Sequence, residues 1–137
     1  MTIVVGYDPS PGSVAAFEVA LDLARRYEEP LAIVYGYAAP GGLGEEARAT
    51  EAAIAELGRR TAAPALERAA AAGVEAELEL VQQKPAAALA HVAQARHARV
   101  IVVGSRGEGL LRGALLGSTT YKILGLATCP VLVVPAA

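Results

Sequence analysis

The sequence predicts one α/β domain built on an open, parallel β-sheet. Five short apolar runs alternate with helix-like segments along the 137-residue chain. Such alternation forms βαβ units with right-handed crossovers, and therefore a parallel sheet with helices on its faces. The last two runs, Arg99–Val103 and Pro130–Val134, are rich in valine and isoleucine without polar alternation, as expected for strands covered on both faces. Because no linker or repeat divides the chain, we predict a single domain over residues 1–137.

The N-terminal quarter of the chain reads as strand, helix, strand. Thr2–Tyr7 and Leu31–Tyr37 are the predicted strands, since each is a short apolar run bounded by turn residues. Between them, apolar side chains recur at helical spacing, with Ser13 as the predicted N-cap. The residues of that helical face are Val14, Phe17, Leu21 and Ala24.

The middle of the chain predicts a long helix followed by an edge strand. Glu45–Ala72 is rich in alanine and has high helix propensity. Pro64 should kink or divide this helix, and Gly73 should end it. In the next run, Val74–Val81, three glutamates alternate with apolar residues, so one face should meet water and the strand should lie at a sheet edge.

Two shorter helices complete the predicted pattern. Pro85 suits the first turn of a helix that carries Leu89 and Val92, because proline is favoured where its missing N–H costs nothing. A last helix is predicted from about Ser118 to Leu126, between the fourth and fifth strands.

Composition excludes several classes of function. Apolar residues make up 54% of the chain with only five tyrosines and one phenylalanine, so the core is aliphatic. A net charge of −2 and scattered basic residues argue against nucleic-acid binding. No apolar run approaches the roughly 20 residues of a membrane span. A single cysteine, Cys129, excludes an intrachain disulfide framework and predicts a cytoplasmic location.

The strongest functional signal is a spaced glycine motif, G-x2-G-x9-G-[S/T], after the fourth strand. Gly104 and Gly107 let a ligand approach the backbone closely, and Gly117 opens the last helix. The N–H groups of Ser118 and Thr119 would then point at an anion, so the motif predicts phosphate binding. The other interpretation is a tight turn that only caps a helix.

Neither of two well-known phosphate motifs is present. The glycines are not followed by Gly-Lys-Ser/Thr, so this is not a Walker A loop, and the first strand is not followed by G-x-G-x-x-G. Arg106 or Arg112 could add positive charge near a phosphate or simply be solvated. No Ser/His/Asp set or carboxylate pair stands out as a hydrolytic centre.

Asp8 has two interpretations that the residues leave open. It can order the turn after the first strand, because an aspartate side chain readily bonds nearby backbone N–H groups. Alternatively, its carboxylate accepts a hydrogen bond from a ribose hydroxyl. Asp8 and Gly104 both follow the carboxyl ends of strands. If the first and fourth strands are neighbours, the two loops face each other across one ligand-binding crevice.

The whole chain resembles the universal stress protein family. The residues that carry the likeness are the opening stretch from Ile3 to Ser13, the glycine motif, and the closing run from Cys129 to Pro135. The glycine motif is typical of the nucleotide-binding branch, and every fixed position of it is matched. Two positions depart from the family pattern: the turn Gln82–Pro85 lacks a glycine, and Tyr35 replaces a frequent histidine.

The resemblance implies a Rossmann-like fold of the adenine nucleotide alpha hydrolase-like type, with five parallel strands in the order 3-2-1-4-5. It also implies binding of ATP or AMP. The implied nucleotide-binding residues are Gly6, Tyr7, Asp8, Gly36, Gly104, Arg106, Gly107, Gly117, Ser118, Thr119 and Thr120. Asp8 would contact the ribose, the backbone near Gly36 the adenine edge, and the motif residues the phosphates.

The expected function is that of a nucleotide-dependent regulatory protein in the stress response. A homodimer paired through Val131–Val134 is implied by the same resemblance. The alternative is a slow ATPase or phosphotransferase on the same site, with Mg²⁺ or Mn²⁺ bridging the phosphates. Fast phosphoryl transfer also uses a positioned cation, and no fixed lysine is evident near the glycines.

Overall fold

The predicted α/β architecture is confirmed. The computed structural model describes residues 1–8, 10–38, 41–42, 44–105 and 116–135. Within them five strands form one sheet in the order β3-β2-β1-β4-β5, and every pairing is parallel. The elements are β1 (Thr2–Gly6), α1 (Pro11–Tyr27), β2 (Leu31–Gly36), α2 (Glu45–Ala71), β3 (Ala76–Val81), α3 (Pro85–Ala95), β4 (Ala98–Gly104), α4 (Ser118–Leu126) and β5 (Val131–Val134).

The sheet is covered by helices on both faces. Along β1 the side chains alternate between two cores: Ile3 and Val5 pack with α1 and α2, whereas Val4 packs with α3 and α4. All three side chains are fully buried, as the central strand of a two-sided parallel sheet requires. No helix in the described part of the chain is long and apolar enough to cross a membrane.

The start of α1 differs from the prediction in two ways. Ser10, not Ser13, is the N-cap, and its side chain accepts a hydrogen bond from the Ser13 N–H. The signal that identifies this cap is Pro11, which occupies the first helical position. Val14, predicted to face the core, is half exposed, because the buried face runs through Ser13, Ala16, Ala20 and their neighbours.

Of the two predicted effects of Pro64, division of the long helix is wrong, because α2 runs through this residue without a break, and a kink stays a prediction. Pro64 lies on the exposed side of the helix, while Ala62, Ala65 and Ala69 pack into the core on the opposite side. Water can solvate the carbonyl that loses its partner at an exposed proline, and the packed alanines hold the helix together on both sides of it. The predicted end at Gly73, whose φ is +75°, is confirmed.

The two ends of the sheet are unlike each other in chemistry. β3 is an edge strand, as predicted, and its Glu77 and Glu79 form ion pairs with Arg96 at the end of α3. The guanidinium of Arg96 donates hydrogen bonds to both carboxylates, and these bonds raise the pKa of Arg96. β5, at the other edge, carries only apolar residues. Charged groups protect the β3 edge from pairing with another strand, and β5 lacks them.

Candidate functional site

Two chain segments meet where the order of the strands reverses. β1 and β4 are paired neighbours, so the turn that leads into α1 and the segment that leads into α4 follow adjacent strand ends. The end of β4 is in contact with the start of α1, because a Cβ atom added to Gly104 would lie 2.6 Å from the carbonyl oxygen of Gly12. The sequence predicts that Asp8 and Gly104 lie near each other if β1 and β4 are neighbours, and the two strands are paired. Open α/β sheets bind ligands at this position.

The turn between β1 and α1 is held by side-chain hydrogen bonds. The Asp8 N–H donates to Ser13 Oγ over 2.8 Å, and the Ser10 N–H donates to Asp8 Oδ1 over 2.8 Å. Ser13 Oγ also donates to the carbonyl of Gly6 at 3.3 Å. Asp8 thus has the turn-ordering role that the sequence suggested, and its contact with ribose stays a prediction.

The start of α1 offers few hydrogen-bond donors to an anion. The amides of Asp8, Ser10 and Ser13 all have acceptors inside the turn. Pro11 has no N–H to give, and Gly12 is buried. What this turn presents outward is the carboxylate of Asp8, so its local charge is negative.

The start of α4 is arranged differently. Gly117 is the N-cap, and no side chain of residues 1–8, 10–38, 41–42, 44–105 or 116–135 caps the helix. The Gly117 N–H donates to the carbonyl of Ser105 at 2.8 Å, and this bond joins the start of α4 to the residue that follows β4. For the amides of Ser118, Thr119 and Thr120, the described residues supply no hydrogen-bond acceptor. Free amides at a helix start, together with the helix dipole, form a site suited to a phosphate.

Two predicted site residues have structural roles at this junction. Thr120 is buried, and its Oγ1 donates to the carbonyl of Gly104 at 2.6 Å, so the hydroxyl ties α4 to the end of β4. Ser105 was not singled out by sequence, yet its N–H donates to Val134 on β5 and its carbonyl accepts from Gly117. Both contacts of Ser105 are made by main-chain atoms, which leave no signal in the amino-acid type.

Three of the predicted site glycines lie in close contact with neighbouring elements, and two of them, Gly36 and Gly104, leave no room for a Cβ atom. A Cβ atom on Gly36 would lie 2.9 Å from Ala88 Cβ and from the Gln83 carbonyl oxygen, both on the segment leading into or within α3. On Gly6 it would lie 3.2 Å from Leu89, and on Gly104 it would meet the backbone of Gly12. Close approach between elements therefore explains these glycines without a ligand, and their predicted contacts with nucleotide stay predictions.

Tyr7 lies between the central strand and the carboxylate of Asp8. Its ring meets Phe17 edge to face, with ring centroids 6.1 Å apart. Partial burial, and secondarily the negative charge of Asp8, raise the pKa of the Tyr7 hydroxyl. The predicted site residues Arg106 and Gly107, and the alternative cation Arg112, lie outside the residues that the structure describes.

Comparison with known proteins identifies relatives of this chain. Residues 1–135 match the Universal stress protein family. A universal stress protein of Thermus aquaticus is 35% identical over 135 residues, covering 97% of each chain. The Bacillus subtilis universal stress protein YxiE is 30% identical, covering 96% of this chain and 97% of its own.

Solved structures with the same fold include several bound to nucleotides. A universal stress protein in complex with cAMP is 30% identical, with a TM-score of 0.74 over 100% of this chain and 98% of its own. An Archaeoglobus fulgidus protein in complex with dAMP has 22% identity and a TM-score of 0.69, covering 97% of this chain and 96% of its own. An Arabidopsis thaliana protein with AMP bound shares the fold at 14% identity and a TM-score of 0.72, covering 100% and 92%.

Proposed function

Because this chain belongs to the universal stress protein family, we propose that it binds an adenine nucleotide, ATP or AMP, and acts as a nucleotide-dependent regulatory protein in the stress response. The observation that carries the proposal is the uncapped start of α4, where three consecutive amides are free of partners among the described residues. A phosphate group satisfies such amides and complements the positive end of the helix dipole. We place this function in the cytoplasm, in keeping with a single cysteine.

The different chemistry at the starts of α1 and α4 determines which end of the nucleotide binds at each. Phosphates bind at Ser118, Thr119 and the rest of the glycine motif, which includes Arg106 and Gly107. The nucleoside end lies toward β1, because the Asp8 carboxylate repels phosphate and accepts hydrogen bonds from hydroxyls. The adenine then lies toward the ends of β1 and β2, near Tyr7 and the backbone of Gly36.

The nucleotides of the solved neighbours support this arrangement. The ligands of these proteins, cAMP, dAMP and AMP, each contain an adenine, a ribose-type sugar and one phosphate. Those are the parts that the start of α4 and the turn at Asp8 are suited to hold. For ATP the further phosphates extend along the glycine motif, and Mg²⁺ or Mn²⁺ would enter with the nucleotide as a bridge between phosphates.

A thermal-shift measurement tests the proposal. A ligand at a hundredfold excess over its Kd stabilises the folded state by about 2.7 kcal/mol, or about 10 °C for a domain of this size. Gly117→Val should abolish the shift with ATP and AMP, because a branched side chain would crowd the buried cap of α4. Gly125→Val is the matched control on the same helix, since nothing lies within 4 Å of a Cβ atom there. Absence of a shift with every adenine nucleotide would defeat the proposal.

We also propose that a second copy of this chain covers the β5 edge. β5 ends the sheet, and its Leu132 is 38% exposed. On the adjacent α4, three large side chains are half exposed or more: Tyr121, Leu124 and Leu126. An open apolar strand flanked by an apolar helix face pairs readily with its symmetry mate.

Native mass spectrometry tests the homodimer and reports bound nucleotide at the same time. Leu132→Lys should give monomers, because a charge on an edge strand opposes pairing. Leu57→Lys, on a more exposed leucine of α2, is the matched control and should leave the dimer intact. A monomeric unmodified chain at micromolar concentration would contradict this proposal and leave nucleotide binding untouched.

A further inference from the structure

We propose that Ser13 is a positioning residue for the nucleotide site: its buried hydroxyl fixes Asp8 so that one carboxylate oxygen faces the ribose. The inference rests on the proposed function, since it assigns a role within the same site. Ser13 belongs neither to the glycine motif nor to the predicted nucleotide-binding residues.

The hydroxyl of Ser13 bridges the main chain on both sides of Tyr7. It accepts from the Asp8 N–H at 2.8 Å and donates to the Gly6 carbonyl at 3.3 Å. The Ser13 residue is only 5% exposed, so water does not replace these bonds readily. Ser13 lies in the first turn of α1, which packs extensively against β1 and β4. The hydrogen bonds of its hydroxyl therefore hold the turn between β1 and α1 against a fixed helix.

The carboxylate of Asp8 is oriented by a second bond. Its Oδ1 accepts from the Ser10 N–H at 2.8 Å, which fixes the side-chain torsion. The described residues supply no hydrogen-bond donor to Oδ2. With the Asp8 amide fixed by Ser13 and Oδ1 fixed by Ser10, Oδ2 is the oxygen left to accept from a sugar hydroxyl.

This arrangement distinguishes Ser13 from an ordinary helix-capping residue. Ser10 also contributes a buried hydroxyl at the same helix start, where it accepts from the Ser13 N–H at 3.3 Å. Its contact with Asp8, however, is made by its backbone N–H, which persists when the side chain is shortened. Loss of the Ser10 hydroxyl therefore weakens the cap and leaves Asp8 in place, whereas loss of the Ser13 hydroxyl releases the Asp8 amide.

The test compares two nucleotides that differ only in the sugar hydroxyls, ATP and 2′,3′-dideoxy-ATP, by calorimetric titration of the full chain. A hydrogen bond from a hydroxyl to a charged carboxylate is expected to favour ATP by about tenfold in the unmodified chain. Ser13→Ala should remove most of that preference by weakening ATP alone. Ser10→Ala, the matched control, should lower thermal stability and keep the preference within about twofold.

A second variant guards against a chain that does not fold. Ser13→Cys fills nearly the same space with a much weaker hydrogen-bonding group, and it should reduce the ATP preference in the same direction. Equal loss of affinity for both nucleotides, or an unchanged preference in both Ser13 variants, would overturn the positioning role. In that case ATP binding by the unmodified chain would still uphold the proposed function, whereas no binding of ATP or AMP would remove both.

Discussion

Two helices, α1 and α4, begin at the same end of the sheet, on opposite faces, and their first turns have opposite chemistry. α1 begins with Ser10 as its cap and Pro11 at its first position, and its nearby carboxylate is Asp8. α4 begins with Gly117, which has no side chain to cap the helix, and Ser118 keeps its N–H. One start is closed by its own serines, whereas the first amides of the other have no acceptor within the described part of the chain.

The difference shows that fold position alone does not create an anion site. Both helices follow central strands, and both carry the positive end of a helix dipole. The residues at the cap and first position decide whether that end is neutralised from within. α3 also begins without a side-chain cap, but it follows the edge strand β3 and its first turn packs against Gly36. In the proposed function, the chemistry of α1 and α4 together gives the nucleotide its orientation.

The largest effect is expected when α4 is made to begin like α1. Ser118→Pro removes one free amide at the first helical position, where proline is tolerated. Gly117 has φ −66° and ψ 159°, the conformation favoured before proline, so the helix should persist. A hydrogen bond to a charged group contributes about 1.5–3 kcal/mol, so affinity for ATP should fall at least about tenfold by calorimetric titration.

The control for this change is Ser118→Ala, which removes the hydroxyl and keeps the amide. It should weaken ATP binding by less than the proline does, because the amide is the group aimed along the helix axis. Circular dichroism should show the same helix content in both variants. Equal affinities of the two variants would mean that the start of α4 does not hold the phosphates.

A smaller effect is expected when the end of β4 is pushed away from the start of α1. Gly104→Ala places a Cβ atom 2.6 Å from the Gly12 carbonyl oxygen, and both partners are backbone with little freedom to move. Overpacking of this kind costs about 1–3 kcal/mol of unfolding free energy, measurable by urea denaturation. Gly41→Ala, where nothing lies within 4 Å, should change stability by less than about 0.5 kcal/mol. An unchanged stability of Gly104→Ala would show that the end of β4 and the start of α1 are not in firm contact.

The order and type of the elements could be predicted from local sequence because each carries its own signal. The glutamates of β3 indicated an edge, Pro85 began α3, and the cap glycine placed the start of α4 at Ser118. The strand order came from family resemblance, since pairing between β1 and β4 joins residues almost a hundred positions apart. The continuity of α2 through Pro64 depends on tertiary packing of alanines, which no local pattern reveals.

The site was predicted less completely, for a different physical reason. The glycine motif drew attention to the start of α4, but it could not separate glycines needed for packing from glycines that admit a ligand. The atoms that crowd Gly36 and Gly104 belong to α3 and α1, which are distant in sequence. The exchange of roles between Ser10 and Ser13 was missed because both residues can cap a helix; Pro11 was the signal that favoured Ser10.

The smallest expected effect concerns the negative charge at the closed start of α1. Burial is the larger cause of the raised pKa of the Tyr7 hydroxyl, and the charge of Asp8 is the second. Asp8→Asn removes that charge while its Oδ1 can still accept from the Ser10 N–H, so the turn is preserved. The pKa of Tyr7 should fall toward its ordinary value and stay above it, because removing a nearby negative charge makes the tyrosinate easier to form while burial persists.

NMR titration of ¹³Cζ-labelled tyrosine measures this shift, with Tyr7→Phe to assign the signal. Asp22→Asn is the matched control, since Asp22 lies on the exposed face of α1 and pairs with Arg26. It should leave the pKa of Tyr7 unchanged, because solvent screens charges that are exposed and distant. A rise in the pKa of Tyr7 on Asp8→Asn would mean that the turn had rearranged and that Asp8 does not give the start of α1 its negative charge, which would remove the contrast with α4.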